Sequence, residues 1–219
     1  VFKNSEQAAN LFSLKELGFI YTRLNNPTNQ ILQDRLAAVE GGIGAVVFAS
    51  GTAAIATGLL TLLKAGDHIV ASSSLYGWTY NLLSVTLPRF GITTTFVDAS
   101  NADNFETAVQ DNTRAFFVES LGNPKLDVLD LEVISAQAKK AEVPFIVDNT
   151  VATPVLLNPI KHGADIVIHS LTKYIGGQGT SLGGAIVDAG TFNWANGKFP
   201  EFTEPSAGYH GLKYYETLG

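Results

Sequence analysis

The chain has 219 residues, 46% of them hydrophobic and only 16% charged, with a formal net charge of −6 and neither Cys nor Met. That composition belongs to a folded chain rather than a disordered one, and a chain of this length buries roughly 70% of its unfolded surface around one sizeable core. Net acidity without a basic patch argues against nucleic acid as a partner, and zero Cys excludes disulfides, thiolate metal sites, iron–sulfur clusters and a Cys nucleophile in these residues.

The sequence opens at Val1 with no initiator Met and no signal-like start, and stops at Gly219 just after Tyr209-His210-Gly211-Leu212. An excerpt of a longer polypeptide is the expectation. No apolar run reaches the roughly 18–20 residues of a membrane helix, so no membrane partner is expected.

Along the chain, residues 5–18 read as a helix, with Ala8, Leu11, Phe12, Leu14 and Leu17 on one side. Thr28 is the expected cap of a second helix running to Val39 and ended by Gly41-Gly42. Strands and helices then alternate. Short apolar runs at 45–49, 68–71, 92–97, 115–118, 145–147, 166–168 and 185–187 read as strands. Residues 52–63, 78–87, 105–109 and 131–141 read as the intervening helices. The strands are continuous apolar runs, as in a sheet buried on both faces. The alternation predicts an α/β fold with a mostly parallel sheet and helices on both faces. The last strand follows the one before it through a Gly-rich loop with no helical pattern, so it is expected to run antiparallel.

Ligands of such sheets sit at the carboxyl ends of the strands. Those ends read Ser50-Gly51-Thr52, Ser72-Ser73-Ser74, Glu119-Ser120, Asp148-Asn149-Thr150 and His169-Ser170-Leu171-Thr172-Lys173. Ser50-Gly51-Thr52 is a strand-to-helix turn whose helix start favours an anion such as phosphate. Asp148 closes a buried strand and needs a partner, either a cap, a cation or a protonated ring nitrogen. Lys173 sits deep at a later strand end, where partial burial would make its amine nucleophilic. Tyr76 offers an aromatic face for a flat ring. Together these are the parts of a pyridoxal phosphate site. Other nucleotide motifs are missing: there is no P-loop, and Gly177-x-Gly179 lacks the third glycine of the dinucleotide fingerprint. His68, His162, His169 and His210 show no ligand spacing, so they read as structural and no metal is expected.

The chain resembles the Cys/Met-metabolism family of pyridoxal-phosphate (PLP) enzymes of fold type I. The resemblance rests on Tyr21-Thr22-Arg23-x-x-Asn26-Pro27-Thr28, Ser50-Gly51-Thr52-Ala53-Ala54, Leu75-Tyr76-Gly77 and Asn123-Pro124. It continues through Asp148-Asn149-Thr150-x-Ala152-Thr153-Pro154 and His169-Ser170-x-Thr172-Lys173-Tyr174. Within the family the chain is similar to the O-acetylhomoserine sulfhydrylase branch, through its opening residues, Gly176-Gly177-Gln178-Gly179-Thr180-Ser181 and Tyr209-His210-Gly211-Leu212. It departs at Asn25, Trp78 and Gln178, where that branch often has Met, a small residue and His.

The resemblance implies γ-replacement on O-acetyl-L-homoserine by sulfide or methanethiol, giving homocysteine or methionine and acetate. It implies that Lys173 carries the cofactor and shuttles protons, with Tyr76 and Tyr21 also catalytic. Asp148 would pair with the ring nitrogen and Tyr76 would stack on the ring. Gly51, Thr52, Ser170 and Thr172 would hold the phosphate, and Asn123 and Thr150 would contact the ring and its O3′. Tyr21 and Arg23 would reach the phosphate of a neighbouring subunit, implying a cytoplasmic homotetramer of dimers with shared sites. Residues 1–40 would then be part of an N-terminal arm with the first helices, and 41–219 the PLP-binding large domain. A cystathionine γ-synthase or a γ-lyase is the alternative within the family, and a non-catalytic relic or a nicotinamide enzyme the alternatives outside it.

Overall fold

A computed structural model describes residues 2–218. In chain order the regular elements begin with helices α1 (Ser5–Phe12) and α2 (Pro27–Glu40), strand β1 (Gly44–Phe48), helix α3 (Gly51–Leu62) and strand β2 (His68–Ser72). They continue with α4 (Gly77–Asn81), β3 (Thr93–Val97), α5 (Asp103–Thr107), β4 (Thr113–Glu119), α6 (Leu131–Lys140), β5 (Phe145–Asp148), α7 (Thr153–Leu156) and β6 (Ile166–Ser170). The final elements are β7 (Gly184–Asp188), α8 (Pro200–Thr203) and α9 (Tyr214–Leu218).

The seven strands form one sheet in the order β1-β7-β6-β5-β4-β2-β3. β7 runs antiparallel to both β1 and β6, and the other pairings are parallel. The mostly parallel sheet with an antiparallel strand near its end is therefore as expected. Because β1 is parallel to β6 across β7, the carboxyl ends of β1, β2, β4, β5 and β6 lie along one edge. The apolar runs serve two cores. Phe116, Val118, Phe145, Val147 and Val167 face one, with Phe105 of α5 and Ile134 of α6. Ala71, Phe117, Ile146 and Ile168 face the other, with Ile55 and Leu59 of α3. Strands β2, β4, β5 and β6 thus alternate between two buried faces, which is why their sequences read as nearly continuously apolar, whereas the end strands β1 and β3 are only partly covered.

The helices differ from the sequence expectations at their ends. α1 stops at Phe12 rather than 18, because Leu14 takes a left-handed backbone (φ 55) and the Lys15 N–H bonds back to Asn10 O (2.9 Å). The stripe expected to continue ends there: Leu14 is half-buried and Leu17 is 79% exposed. α2 is capped by Asn26, not Thr28: Asn26 Oδ1 accepts the Thr28 N–H (2.9 Å). The physical reason is Pro27, whose fixed φ suits the first helical position and whose missing N–H costs nothing there. The helix expected over 78–87 is α for only Gly77–Asn81, then a π turn over Leu82–Thr86 and a 3₁₀ turn over Leu87–Phe90. Pro88 supplies no N–H and prevents a regular continuation.

Candidate active site

A cavity of ≈ 380 Å³ opens at the carboxyl edge of the sheet. Gly51, Thr52, Tyr76, Asn123, Asp148, Thr150, Ser170, Thr172 and Lys173 all line it. The sheet has gathered nine residues from five separate stretches of sequence into one place.

The start of α3 forms one wall. Ser50 caps it, its Oγ accepting the Ala53 N–H (3.1 Å). The N–H groups of Gly51 and Thr52 precede any intrahelical acceptor and remain available at the cavity. The end of β6 packs against them so closely that a Cβ on Gly51 would lie 2.7 Å from Ser170 Cβ. Gly51 is therefore required by close approach, and it lets the Ser170 backbone and the helix start share one anion-sized cradle.

Asp148 lies at the floor, at the end of β5, with 9% of its surface exposed. Its Oδ1 accepts both the Thr150 N–H (3.0 Å) and the Thr150 hydroxyl (2.6 Å). That hydroxyl also accepts the Ser170 N–H (2.8 Å), tying β5 to β6. The Thr150 proton is thus spent on orienting Asp148. Burial pushes the Asp148 carboxyl above its ordinary range, against the lowering effect of the Thr150 bonds and of His169. A carboxylate held in this state gains most from a cationic partner that supplies the missing charge.

Glu119, which the sequence reading placed at a strand end without a role, also lines the cavity. It is buried (5% exposed) beside Asp148, its register partner on the neighbouring strand. Oε1 accepts the Tyr76 N–H (2.6 Å) and Oε2 the Asn123 N–H (3.2 Å). Burial first, and the Asp148 charge second, push Glu119 up to about 8. The signal that could have found it is the one that found Asp148: an acidic residue closing a fully apolar strand.

Lys173 stands on the turn after β6, its N–H donating to Ser170 O (3.2 Å) and its carbonyl accepting the Gly177 N–H (2.8 Å). Its side chain is exposed at the cavity rim, so the partial burial expected to activate the amine is not supplied by the described residues. The Thr172 hydroxyl both donates to Gly183 O (3.3 Å) and accepts the Gly183 N–H (3.1 Å), so it pins the Gly-rich loop as well as facing the cavity. Tyr76 is 43% exposed and Asn123 follows β4 on a loop, both free to meet a ligand with their side chains.

Tyr21 and Arg23 are not among the lining residues. They sit on the exposed segment before α2, with the Arg23 guanidinium 5.3 Å over the Tyr21 ring. Behind the site, His169 Nε2 meets Glu40 Oε1 at 2.5 Å with both side chains fully buried. Asn149 Nδ2 also reaches that oxygen (3.4 Å), and the Ser120 hydroxyl bonds to Asn149 Oδ1 (2.8 Å). This network fastens the ends of β4, β5 and β6 to α2. His169 lies in this network and not among the cavity-lining residues. Among the described residues no cluster of His, Cys, Asp and Glu has the makings of a metal site.

The residues fit the cofactor that the sequence motifs imply. Unsatisfied N–H groups at a helix start suit a phosphate, and a buried carboxylate suits a ring nitrogen that carries a proton. Tyr76 offers a flat face, and Lys173 is the only amine among the lining residues.

Comparison with known proteins agrees with this geometry. A family model described as Cys/Met metabolism PLP-dependent enzyme matches residues 1–209. The O-acetyl-L-homoserine sulfhydrylase of Leptospira meyeri is 58% identical over 219 residues, 100% of this chain and 50% of that protein. The homocysteine synthase of Schizosaccharomyces pombe is 50% identical over 222 residues, 100% of this chain and 52% of that protein. The chain therefore spans about half the length of the curated relatives it matches. A Campylobacter jejuni crystal structure assigned as an O-acetylhomoserine (thiol)-lyase superposes with a TM-score of 0.96 at 45% identity. The match covers 99% of this chain and 54% of that one, and that crystal structure carries N′-pyridoxyl-lysine-5′-monophosphate.

Proposed function

The chain belongs to the Cys/Met-metabolism family of PLP-dependent enzymes, and on that premise we propose that the protein replaces the γ-substituent of O-acetyl-L-homoserine with sulfide, giving homocysteine and acetate. Methanethiol would serve as the alternative acceptor, giving methionine. The observation that carries the proposal is the convergence of Lys173, Asp148 and the α3 start on one cavity. The names of the relatives at 58% and 50% identity support the choice of substrate. Residues 41–219 act in this reading as the cofactor-binding large domain, and 1–40 as part of an N-terminal arm. The assembly is a homotetramer of dimers in the cytoplasm, in which Tyr21 and Arg23 serve the neighbouring subunit's site.

When bound, the cofactor supplies an aldehyde for an amine and a ring that withdraws electrons from the substrate's α-carbon. The chain's own residues do the rest. Asp148 holds a proton on the ring nitrogen, because its buried carboxyl is stabilised by a cation there. Thr150 keeps Asp148 Oδ1 in place. The Gly51 and Thr52 N–H groups bind phosphate, with Ser170 beside them. Lys173 Nζ, exposed and without a carboxylate partner among the described residues, carries the cofactor and takes up and returns the proton of the substrate's Cα. Tyr76 orients the flat ligand with its ring.

The test is a substrate panel on the full-length protein. With O-acetylhomoserine and sulfide, homocysteine and acetate appear in equal amounts. Product formed only when cysteine replaces sulfide, or only by breakdown of methionine, would assign the protein to another branch of the family.

A further inference from the structure

Glu119 is the buried acid lining the cavity that the proposed chemistry does not use. Its two oxygens are divided between two loops, one holding Tyr76 at the start of α4 and the other holding Asn123 beyond β4. The two loops have no sequence connection shorter than β3, α5 and β4, yet one carboxylate fixes both backbones. Tyr76 and Asn123 are also the lining residues suited to meet a ring from its face and its edge. Bonds from ionised carboxylate to backbone N–H are the strong kind, and a carboxyl that gains a proton accepts more weakly, above all at the oxygen that carries it.

The charges around Glu119 are mostly of its own sign. Asp148 lies beside it in the β4–β5 register, and Asp127, bonded to the Ser74 hydroxyl (2.7 Å), lies on the loop after β4. Lys173 shares the cavity but stands at its exposed rim, and the buried Glu40–His169 pair lies behind Asp148. Among the described residues no cation pairs with Glu119.

We propose that Glu119 is a positioning residue: its ionised carboxylate clamps the Tyr76 and Asn123 loops into the form that receives the cofactor ring, and a cation seated on Asp148 strengthens that clamp. The inference rests on the functional reading above and adds a coupling to it. With no ligand cation, burial and Asp148 hold Glu119 near 8, so it is largely protonated at neutral pH and one of its two N–H bonds is compromised. A ring nitrogen carrying a proton neutralises Asp148, lowers the repulsion and lets Glu119 release its proton to water. By reciprocity, raising the pH through this range tightens cofactor binding.

The test compares the full-length wild type with Glu119→Gln, using PLP itself as the probe. Affinity by equilibrium dialysis and the visible circular dichroism of the bound cofactor are measured from about pH 6.5 to about pH 8.5. The wild type is expected to tighten by roughly tenfold more than the variant over this range. At the alkaline end the variant binds about tenfold more weakly with a reduced dichroic band, since the amide group of Gln accepts only one of the two N–H groups. Near pH 6.5, where the wild-type carboxyl is itself protonated, its cofactor-free thermal stability is no lower than the wild type's, which separates positioning from a scaffold role. Equal pH slopes and equal dichroism would overturn the inference while leaving the functional reading intact. A wild type that binds no PLP at all would overturn both. If Glu119→Gln does not fold, amide exchange in the cofactor-free wild type decides: protection at Tyr76 and Asn123 that falls together below about pH 8 supports the clamp, and protection indifferent to pH contradicts it.

Discussion

At the scale of single residues, two buried acids line the cavity. Asp148 and Glu119 sit on adjacent strands, both buried and both displaced upward, yet their partners differ. Asp148 has one oxygen fixed by Thr150, leaving the other for a ligand cation. Glu119 has both oxygens committed to backbone N–H groups. This division predicts the behaviour of Asp148→Asn. The amide keeps the shape of the floor, so the cofactor is retained, but it no longer stabilises a proton on the ring nitrogen. Turnover is expected to fall by at least about 10²-fold, in the range seen when a preorganised electrostatic group is removed. Steady-state kinetics alongside the cofactor content of the purified variant make the check, and near-normal turnover would contradict the assignment. Asp148 was legible as a candidate because an acid closing a fully apolar run needs a partner. Glu119 stands after Ala115-Phe116-Phe117-Val118 in the same way, but a lone sequence does not reveal that its oxygens reach back 43 residues to Tyr76. The Lys173 environment was misjudged for a related reason. Its position after β6 was readable, while the exposure of its side chain was not.

At the scale of elements, the chain's parallel sheet and its antiparallel β7 were legible because they follow from apolar runs and from the missing crossover helix. Helix ends were not. Leu14 and Leu17 continue the apolar spacing of α1, but Leu14 takes a left-handed backbone and Leu17 is exposed, so the pattern overruns the helix. Thr28 is a plausible cap, but Pro27 decides the first helical position. The Pro88 region kept a helical pattern while losing regular hydrogen bonding. The contact between α3 and β6 is the element-scale feature that makes the site, and Gly51 permits it. Gly51→Ala places a methyl 2.7 Å from Ser170 Cβ, in contact with strand rather than with a flexible side-chain tip. Overpacking of this kind costs about 1–3 kcal/mol. Urea melts of the cofactor-free protein should show that loss, and dialysis should show weaker PLP binding because the helix start is forced away from Ser170. Wild-type stability with wild-type affinity would mean that the close approach is not needed.

At the scale of the whole molecule, two of the predicted site residues remain outside the cavity. Tyr21 (56% exposed) and Arg23 sit together on the segment before α2. The functional proposal gives them to a neighbouring subunit's site, and this predicts complementation. In a mixed population of Lys173→Ala and Tyr21→Ala chains, a hybrid pair contains one site with both native residues. Random pairing restores roughly a quarter of the sites, from parents that are each inactive. Activity that stays at the level of the parents would keep Tyr21 out of any shared site. The central claim, that this fold exists to hold pyridoxal phosphate on Lys173, is tested most directly on the intact full-length protein. Borohydride reduction followed by peptide mass spectrometry should abolish the visible absorbance and leave a pyridoxyl adduct on the peptide bearing Lys173. An adduct on any other lysine, or none at all, would contradict it.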